Sequence, residues 1–275
     1  MATLASLRER WQVEAARRAI DLREVDLLLA DALERPLSWI LAHDDEAADE
    51  RVEAALAAAM RRRFGREPLQ YVRGRTEFYG RVFVVDARVL IPRPETEILV
   101  EQAIRRIAGG RTIVDVGTGS GCIAISLAIE RADLHVVATD MSLGALALAR
   151  RNAERLDARV RFAASDVLAA IGRARLGAIV SNPPYIPARD LPTLQPEVRD
   201  YEPEIALTPG ETGLETIGRI YQEGAAHLDR DGLILLEIGY GQGDAVRALG
   251  ARYGWTVELR DDLAGIPRVA ISSRA

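Results

Sequence analysis

From Glu95 onward the chain alternates short apolar runs with stretches long enough to be helices, and nothing else in the sequence restricts its fold as tightly. "TIVDVGTGSG", "LHVVATD", "ARVRFAASD", "LGAIVSNPPY" and "GLILLEIG" read as strands. Strands that alternate with helices form a parallel sheet covered on both faces, the doubly wound α/β class. The last two runs, "WTVELRDD" and "RVAISSR", are separated by too few residues for a crossover helix. They are expected to pair antiparallel at one edge.

The first 65 or so residues follow a helical pattern instead. Leu4, Leu7 and Trp11 share a face, Asp21 and Glu24 stand in capping-box spacing before "VDLLLADAL", and Val52, Leu56, Met60 and Phe64 recur every four residues. Arg61 to Arg63 fall in the last turn of that helix before Gly65. Cations there complement the helix dipole, a plainer reading than a nucleic-acid contact. Between the two patterns, "VFVVDARVLI" (82–91) alternates on either side of Asp86 and Ala87, which predicts a hairpin ended by Pro92 and Pro94.

Composition narrows the class. With 48% hydrophobic and 28% charged residues in 275, the chain reads as a globular protein with a sizeable core. It has no apolar run of membrane length, and "MATLASLRERWQ" meets charge too soon for a signal peptide, so the cytoplasm is the expected location and no membrane partner is expected. One cysteine, Cys122, excludes an internal disulfide, and with three scattered histidines it predicts no protein-bound metal. A net charge of −5 argues for a protein partner over bare DNA.

"VDVGTGSGC" places Gly117, Gly119 and Gly121 between an apolar strand and a helix, with Thr118 and Ser120 interleaved. Glycines here let the backbone turn tightly and approach a ligand. The next strand ends in Asp140, 23 residues past Gly117, where a carboxylate can accept from both hydroxyls of a ribose. The spacing is G-x-G-x-G, whereas the dinucleotide pattern needs its third glycine one place later, where Cys122 stands. Asp115 and Asp140 add negative charge, which suits a cationic sulfonium better than a pyrophosphate. S-adenosyl-L-methionine is therefore the expected cofactor, with S-adenosyl-L-homocysteine as product. At the third strand end, Asp166 can accept from an adenine amine and Val167 can cover the ring; a simple strand-end cap at Asp166 stays open.

"SNPPY" ends the fourth strand at the sheet edge where open α/β folds bind ligands. A planar amide is a poor nucleophile because its nitrogen lone pair is delocalised. Two fixed acceptors on its N–H bonds let the nitrogen become tetrahedral as it is alkylated. Asn182 offers a side-chain carbonyl, Pro183 a backbone carbonyl aimed by its fixed φ, and Tyr185 a flat face for stacking. Catalysis by such positioning needs no titrating side chain. From Ile186 to Thr212 runs a proline-rich stretch too long for an idle connection; a lid over the substrate is favoured, and a solvated linker stays open.

With these residues identified, the chain resembles the bacterial release factor glutamine methyltransferases, the HemK or PrmC family. The resemblance rests on "EPLQYVRG" (67–74), "FYG" (78–80), "LIPRPETE" (90–97), "DVGTGSG" (115–121), "SNPPYIP" (181–187) and "EPEIAL" (202–207), and it spans nearly the whole length. It implies a Rossmann-like class I methyltransferase fold, with a mostly parallel seven-stranded sheet and helices on both faces. The implied organisation is a helical substrate-recognition domain (1–75), a linker with a β-hairpin (76–93) and a methyltransferase domain (94–275). It further implies methylation of the glutamine amide in the Gly-Gly-Gln loop of peptide chain release factors; separately, the chain is expected to act as a monomer. Cofactor binding then falls to Gly117 through Gly121, Asp140, Asp166, Val167 and Asn182, and substrate binding to Asn182, Pro183, Pro184, Tyr185 and Arg93. The family often has an aromatic residue where this chain has Val167. Two rival readings are an adenine amino-group methyltransferase acting on nucleic acid, which needs the same two acceptors, and a catalytically silent ribosome-associated module, against which the intact "NPPY" stands.

Overall fold

Thr3, Asp21 and Asp49 each accept a backbone N–H through the side chain at the start of a helix, the usual way to satisfy the orphan donors of a first turn. The three helices they open, Leu4–Ala16, Leu22–Leu33 and Glu50–Phe64, form the heart of one unit of the protein. The computed structural model describes residues 3–172 and 175–274. It divides into Met1–Gly74 with Pro196–Tyr201, and Arg75–Gln195 with Glu202–Ala275.

In the helical unit, Leu7, Leu29, Leu56 and Met60 are buried together. Two local expectations are corrected. Asp21 caps its helix through Arg23 N, but Glu24 does not close a capping box; its carboxylate accepts from Arg63 Nε at 2.5 Å. Arg63 in turn is not a surface complement to the helix dipole. It is buried, and it also donates to the Glu67 carbonyl at 2.6 Å. Position 63 lies on the face of Leu56 and Met60, and a cation carried into a core must be paired. The excursion Pro196–Tyr201 belongs to this unit: Glu197 pairs with Arg66 at 2.9 Å and the Tyr201 hydroxyl donates to the Gly65 carbonyl at 2.5 Å.

The second unit opens with a hairpin of β1 (Arg75–Phe78) and β2 (Arg81–Val84). The turn is Tyr79-Gly80, both at positive φ (49° and 70°), as the tight two-residue hairpin turn requires. The expected hairpin around Asp86 and Ala87 is thus displaced towards the N-terminus. Past Val84 the chain is irregular, because the Asn152 side chain takes both the N–H and the carbonyl of Val84 (2.8 and 3.0 Å) and Asp86 folds back onto Arg88.

The large sheet holds β3 (Thr112–Val116), β4 (His135–Asp140), β5 (Val160–Ala164), β6 (Leu176–Ser181), β7 (Leu228–Glu237), β8 (Trp255–Asp261) and β9 (Pro267–Arg274). Their order is β5-β4-β3-β6-β7-β9-β8. The first five are mutually parallel, while β9 runs antiparallel to both β7 and β8. This is the expected class I arrangement with its antiparallel edge. Neighbouring residues on one strand serve opposite faces: Ile113 joins the core that includes Ile125 and Val136, while Val114 joins the core of Ile179, Tyr221 and Trp255. All six residues of β6 are buried, as befits a central strand covered on both sides. Strand order reverses between β3 and β6, so their carboxyl ends open a crevice. Among the described residues no helix is long and apolar enough to cross a membrane.

Candidate active site

The crevice is a cavity of 360 Å³ in the second unit, lined from four strand ends by Gly117–Ser120, Asp140, Ser165–Val167 and Asn182 with Pro184. Pro203, Ile205, Ala206, Thr208 and Pro209 line it from the proline-rich stretch. That stretch is therefore not one lid: its later part walls the cavity while Pro196–Tyr201 belongs to the helical unit.

The glycines have separate reasons. Gly117 and Gly119 sit at φ 71° and 55° with nothing within 4 Å of the space a Cβ would fill, so the left-handed turn itself selects glycine. At Gly121 a Cβ would lie 2.8 Å from Ile125 Cδ1 and 3.1 Å from Ala149 Cβ; this glycine serves helix packing and does not line the cavity.

Beneath the loop, Asp115 is fully buried. Its Oδ2 accepts from Thr118 Oγ1 at 2.6 Å and from Ala124 N at 3.2 Å, and Oδ1 has no partner among the described residues. Burial pushes its pKa up to about 7 against the two hydrogen bonds, with nearby Asp140 adding to the rise. Asp140 accepts from Gly119 N (2.9 Å) and Ser142 N (2.8 Å), one bond per oxygen. A carboxylate accommodates about four such bonds, so acceptor capacity remains on this lining residue.

Asp166 is exposed and held by Arg219 at 2.7 Å. Val167 takes φ 49°, rare for a β-branched residue. Its side chain packs in the sheet core beside Leu168 and also lines the cavity.

Asn182 follows β6 directly, and its amide is engaged on one side. Nδ2 donates to Thr96 Oγ1 at 3.2 Å, Thr96 Oγ1 donates to Glu237 Oε2 at 2.6 Å, and the Tyr185 hydroxyl donates to Glu237 Oε1 at 3.4 Å. Thr96 and Glu237 are each only 2% exposed. Burial pushes the Glu237 pKa up to about 7; the Thr96 and Tyr185 bonds and Arg268 oppose this, and Glu95 adds to it. The same burial, with Glu237 beside it, holds the Tyr185 hydroxyl above its ordinary range. The Tyr185 carbonyl accepts from Gln242 Nε2 at 3.0 Å, and a Cβ on Gly213 would lie 2.4 Å from that carbonyl oxygen. Asn182 and Pro184 line the cavity; Pro183 and Tyr185 do not.

Arg93 also stands outside the lining. Its Nη2 donates to Glu202 Oε1 at 2.5 Å, and Glu202 Oε2 accepts from Ile91 N at 3.2 Å. Glu202 is buried, and burial raises its pKa against the pull of Arg93. Arg93 thus joins "IPRPETE" to "EPEIAL", the segment that walls the cavity. Sequence reasoning missed Thr96, Glu237 and Arg219. Glu237 had a usable signal: it is the one carboxylate in the apolar run "LILLEI", and a carboxylate carried into a core requires a partner.

Comparisons with known proteins relate the chain to methyltransferases. A family model described as Methyltransferase small domain matches residues 94–193, and one described as PrmC N-terminal domain matches residues 11–74. The release factor glutamine methyltransferase of Geobacter sulfurreducens is 42% identical over 90% of this chain and 87% of its own length. That of Bordetella pertussis is 41% identical over 90% and 93%. Among solved structures, a Pyrococcus furiosus methyltransferase superposes with TM-score 0.54 at 20% identity, covering 71% of this chain and 89% of that one. The T. thermophilus 16S rRNA N2 G1207 methyltransferase, in complex with AdoMet and guanosine, gives 0.53 at 16% identity over 73% and 50%. At such identities these two structures share the fold.

Proposed function

The chain belongs to the release factor glutamine methyltransferases, and from that membership we propose that it moves a methyl group from S-adenosyl-L-methionine to the glutamine amide in the Gly-Gly-Gln motif of peptide chain release factors. The observation that carries the reading is Asn182: Thr96 takes its Nδ2, which leaves the side-chain carbonyl as the acceptor available to a substrate amide.

The residues present fit this cofactor. Gly117 and Gly119 leave the loop backbone open to a ligand, Asp140 keeps acceptor capacity for a ribose, and Asp115 and Asp140 favour positive charge. When bound, S-adenosylmethionine supplies an electrophilic methyl on a cationic sulfur. The chain's own groups orient the acceptor. Asn182 Oδ1 and the Pro183 carbonyl each accept one N–H of the glutamine amide, drawing the nitrogen towards a tetrahedral form with its lone pair exposed. Tyr185 is held rigidly by Glu237 and Gln242 and gives the planar amide a flat neighbour. Orientation of this kind can contribute about 7 to 11 kcal/mol to a barrier. The helical domain grips the release factor, Arg93 acts on substrate through the Glu202 segment, and the protein works as a cytoplasmic monomer.

Labelled S-adenosylmethionine offered with either a release factor or duplex DNA tests the reading. Label in the release factor alone is expected. Label in DNA would favour the adenine amino-group alternative, and label in neither the silent module.

A further inference from the structure

Resting on the reading of Asn182 just given, we infer that Thr96 and Glu237 form a one-way hydrogen-bond relay that fixes the Asn182 amide with its carbonyl oxygen towards the substrate. A side-chain amide can turn over and exchange oxygen for nitrogen with little change in shape. In the turned state Asn182 would present an NH2 to the substrate NH2, donor against donor. Something must select the productive face, and the chain of contacts from Asn182 back into the sheet does so.

An ionised carboxylate only accepts. Glu237, at the end of β7 and 2% exposed, therefore requires donors from whatever touches it, and it receives them from Thr96 Oγ1 at 2.6 Å and the Tyr185 hydroxyl at 3.4 Å. Thr96 has a single hydroxyl proton. Once that proton is committed to Glu237, Thr96 Oγ1 can only accept from Asn182, and at 3.2 Å it meets Nδ2. Oδ1 is left facing outward. Thr96 stands on the helix Thr96–Arg106 and Glu237 on β7, elements 141 residues apart in sequence, so the relay is held by packed structure and not by the loop it orients. Tyr185 ties the far end of "NPPY" to the same carboxylate. Thr96 and Glu237 are positioning residues: Thr96 lines the cavity, but its hydroxyl is engaged by Glu237 and Asn182, and Glu237 stands outside the lining.

The test is a mutant cycle in the full chain, with a release factor as substrate. Thr96→Val keeps the shape but removes the hydroxyl; about a 10- to 100-fold fall in kcat is expected, with KM and affinity for S-adenosylhomocysteine within about twofold. Thr96→Ser, which keeps the hydroxyl, should recover to within about threefold. In an Asn182→Ala background, Thr96→Val should cost nothing further, because no amide remains to orient. If Thr96→Val melts below the assay temperature, Glu237→Gln, which can donate as well as accept, runs the same cycle. The inference is overturned if kcat survives both changes, or if either costs as much without Asn182 as with it, the mark of a merely structural role. Full activity of Asn182→Ala alone would instead remove the proposed role of Asn182, and the relay with it.

Discussion

Asp115→Asn tests the idea that the glycine loop is built over a carboxylate whose burial is unfavourable to folding. The pKa of Asp115 rises from 3.8 to about 7, chiefly through burial. About three units at ~1.4 kcal/mol each amounts to roughly 4 kcal/mol against folding once the group is ionised. The sign is fixed by linkage: a carboxyl titrating higher in the folded state makes the folded protein bind more protons between about pH 4 and 7, so its stability falls across that window as pH rises. Asparagine keeps an oxygen for Thr118 and Ala124 but sets an NH2 where Oδ1 had no partner, a cost of about 1–3 kcal/mol. A net gain of about 1–3 kcal/mol at pH 8, or roughly 2–8 °C in Tm, is expected, turning into a net loss of about 1–3 kcal/mol near pH 4, where the ionisation cost vanishes and the unpartnered NH2 remains. Scanning calorimetry of both proteins without cofactor, at pH 5 and pH 8, measures it; subtraction cancels Glu237, which titrates in both. A variant no more stable at pH 8 than at pH 5, relative to the parent, would refute the reasoning. The same substitution should weaken S-adenosylmethionine binding by removing charge beneath the loop, a stability gain set against function.

Three further outcomes follow from the geometry. Glu237 must be ionised to accept from both Thr96 and Tyr185, and with Glu95, Arg268 and Cys122 as its other neighbours it titrates at about 7; kcat should fall as pH drops through 7 in the parent and lose that step in Glu237→Gln, read from a pH–rate profile. Arg93→Ala leaves Glu202 buried without its cation, a change of about 3–5 kcal/mol at a fully buried pair and less here because Arg93 is part exposed; affinity for S-adenosylhomocysteine should drop about tenfold by titration calorimetry as the wall segment loosens, and an unchanged affinity would show that this segment is not needed. Asp140→Ala removes the acceptor for Gly119 N and Ser142 N as well as the proposed ribose contact, so cofactor affinity should fall about 100-fold while Tm falls by only a few degrees.

What the sequence revealed and what it hid divide along a physical line. Strand alternation, the glycine loop and "NPPY" were readable because they are local: each depends on backbone geometry or burial within a few residues, and β3 to β7, Gly117 and Gly119 stand where those patterns place them. The hairpin was misplaced because two alternating runs look alike; the choice between them is made by Tyr79-Gly80 and by Asn152, 68 residues away, which ends β2. Arg63 looked like a dipole complement because Glu24 and Glu197, its partners, come from distant segments. Thr96 was hidden for the same reason: its role exists only where the start of one helix meets the end of β7.

The central claim is that Asn182 orients a release factor's glutamine amide for methylation. The most direct measurement is the single-turnover rate for parent and Asn182→Ala with saturating S-adenosylmethionine, with the modified residue mapped by mass spectrometry of the release factor peptides. The parent should place one methyl on the glutamine of Gly-Gly-Gln, and the variant should do so about 100- to 1000-fold more slowly with cofactor affinity unchanged. Equal rates in the two proteins, or a methyl on any other residue, would contradict the account.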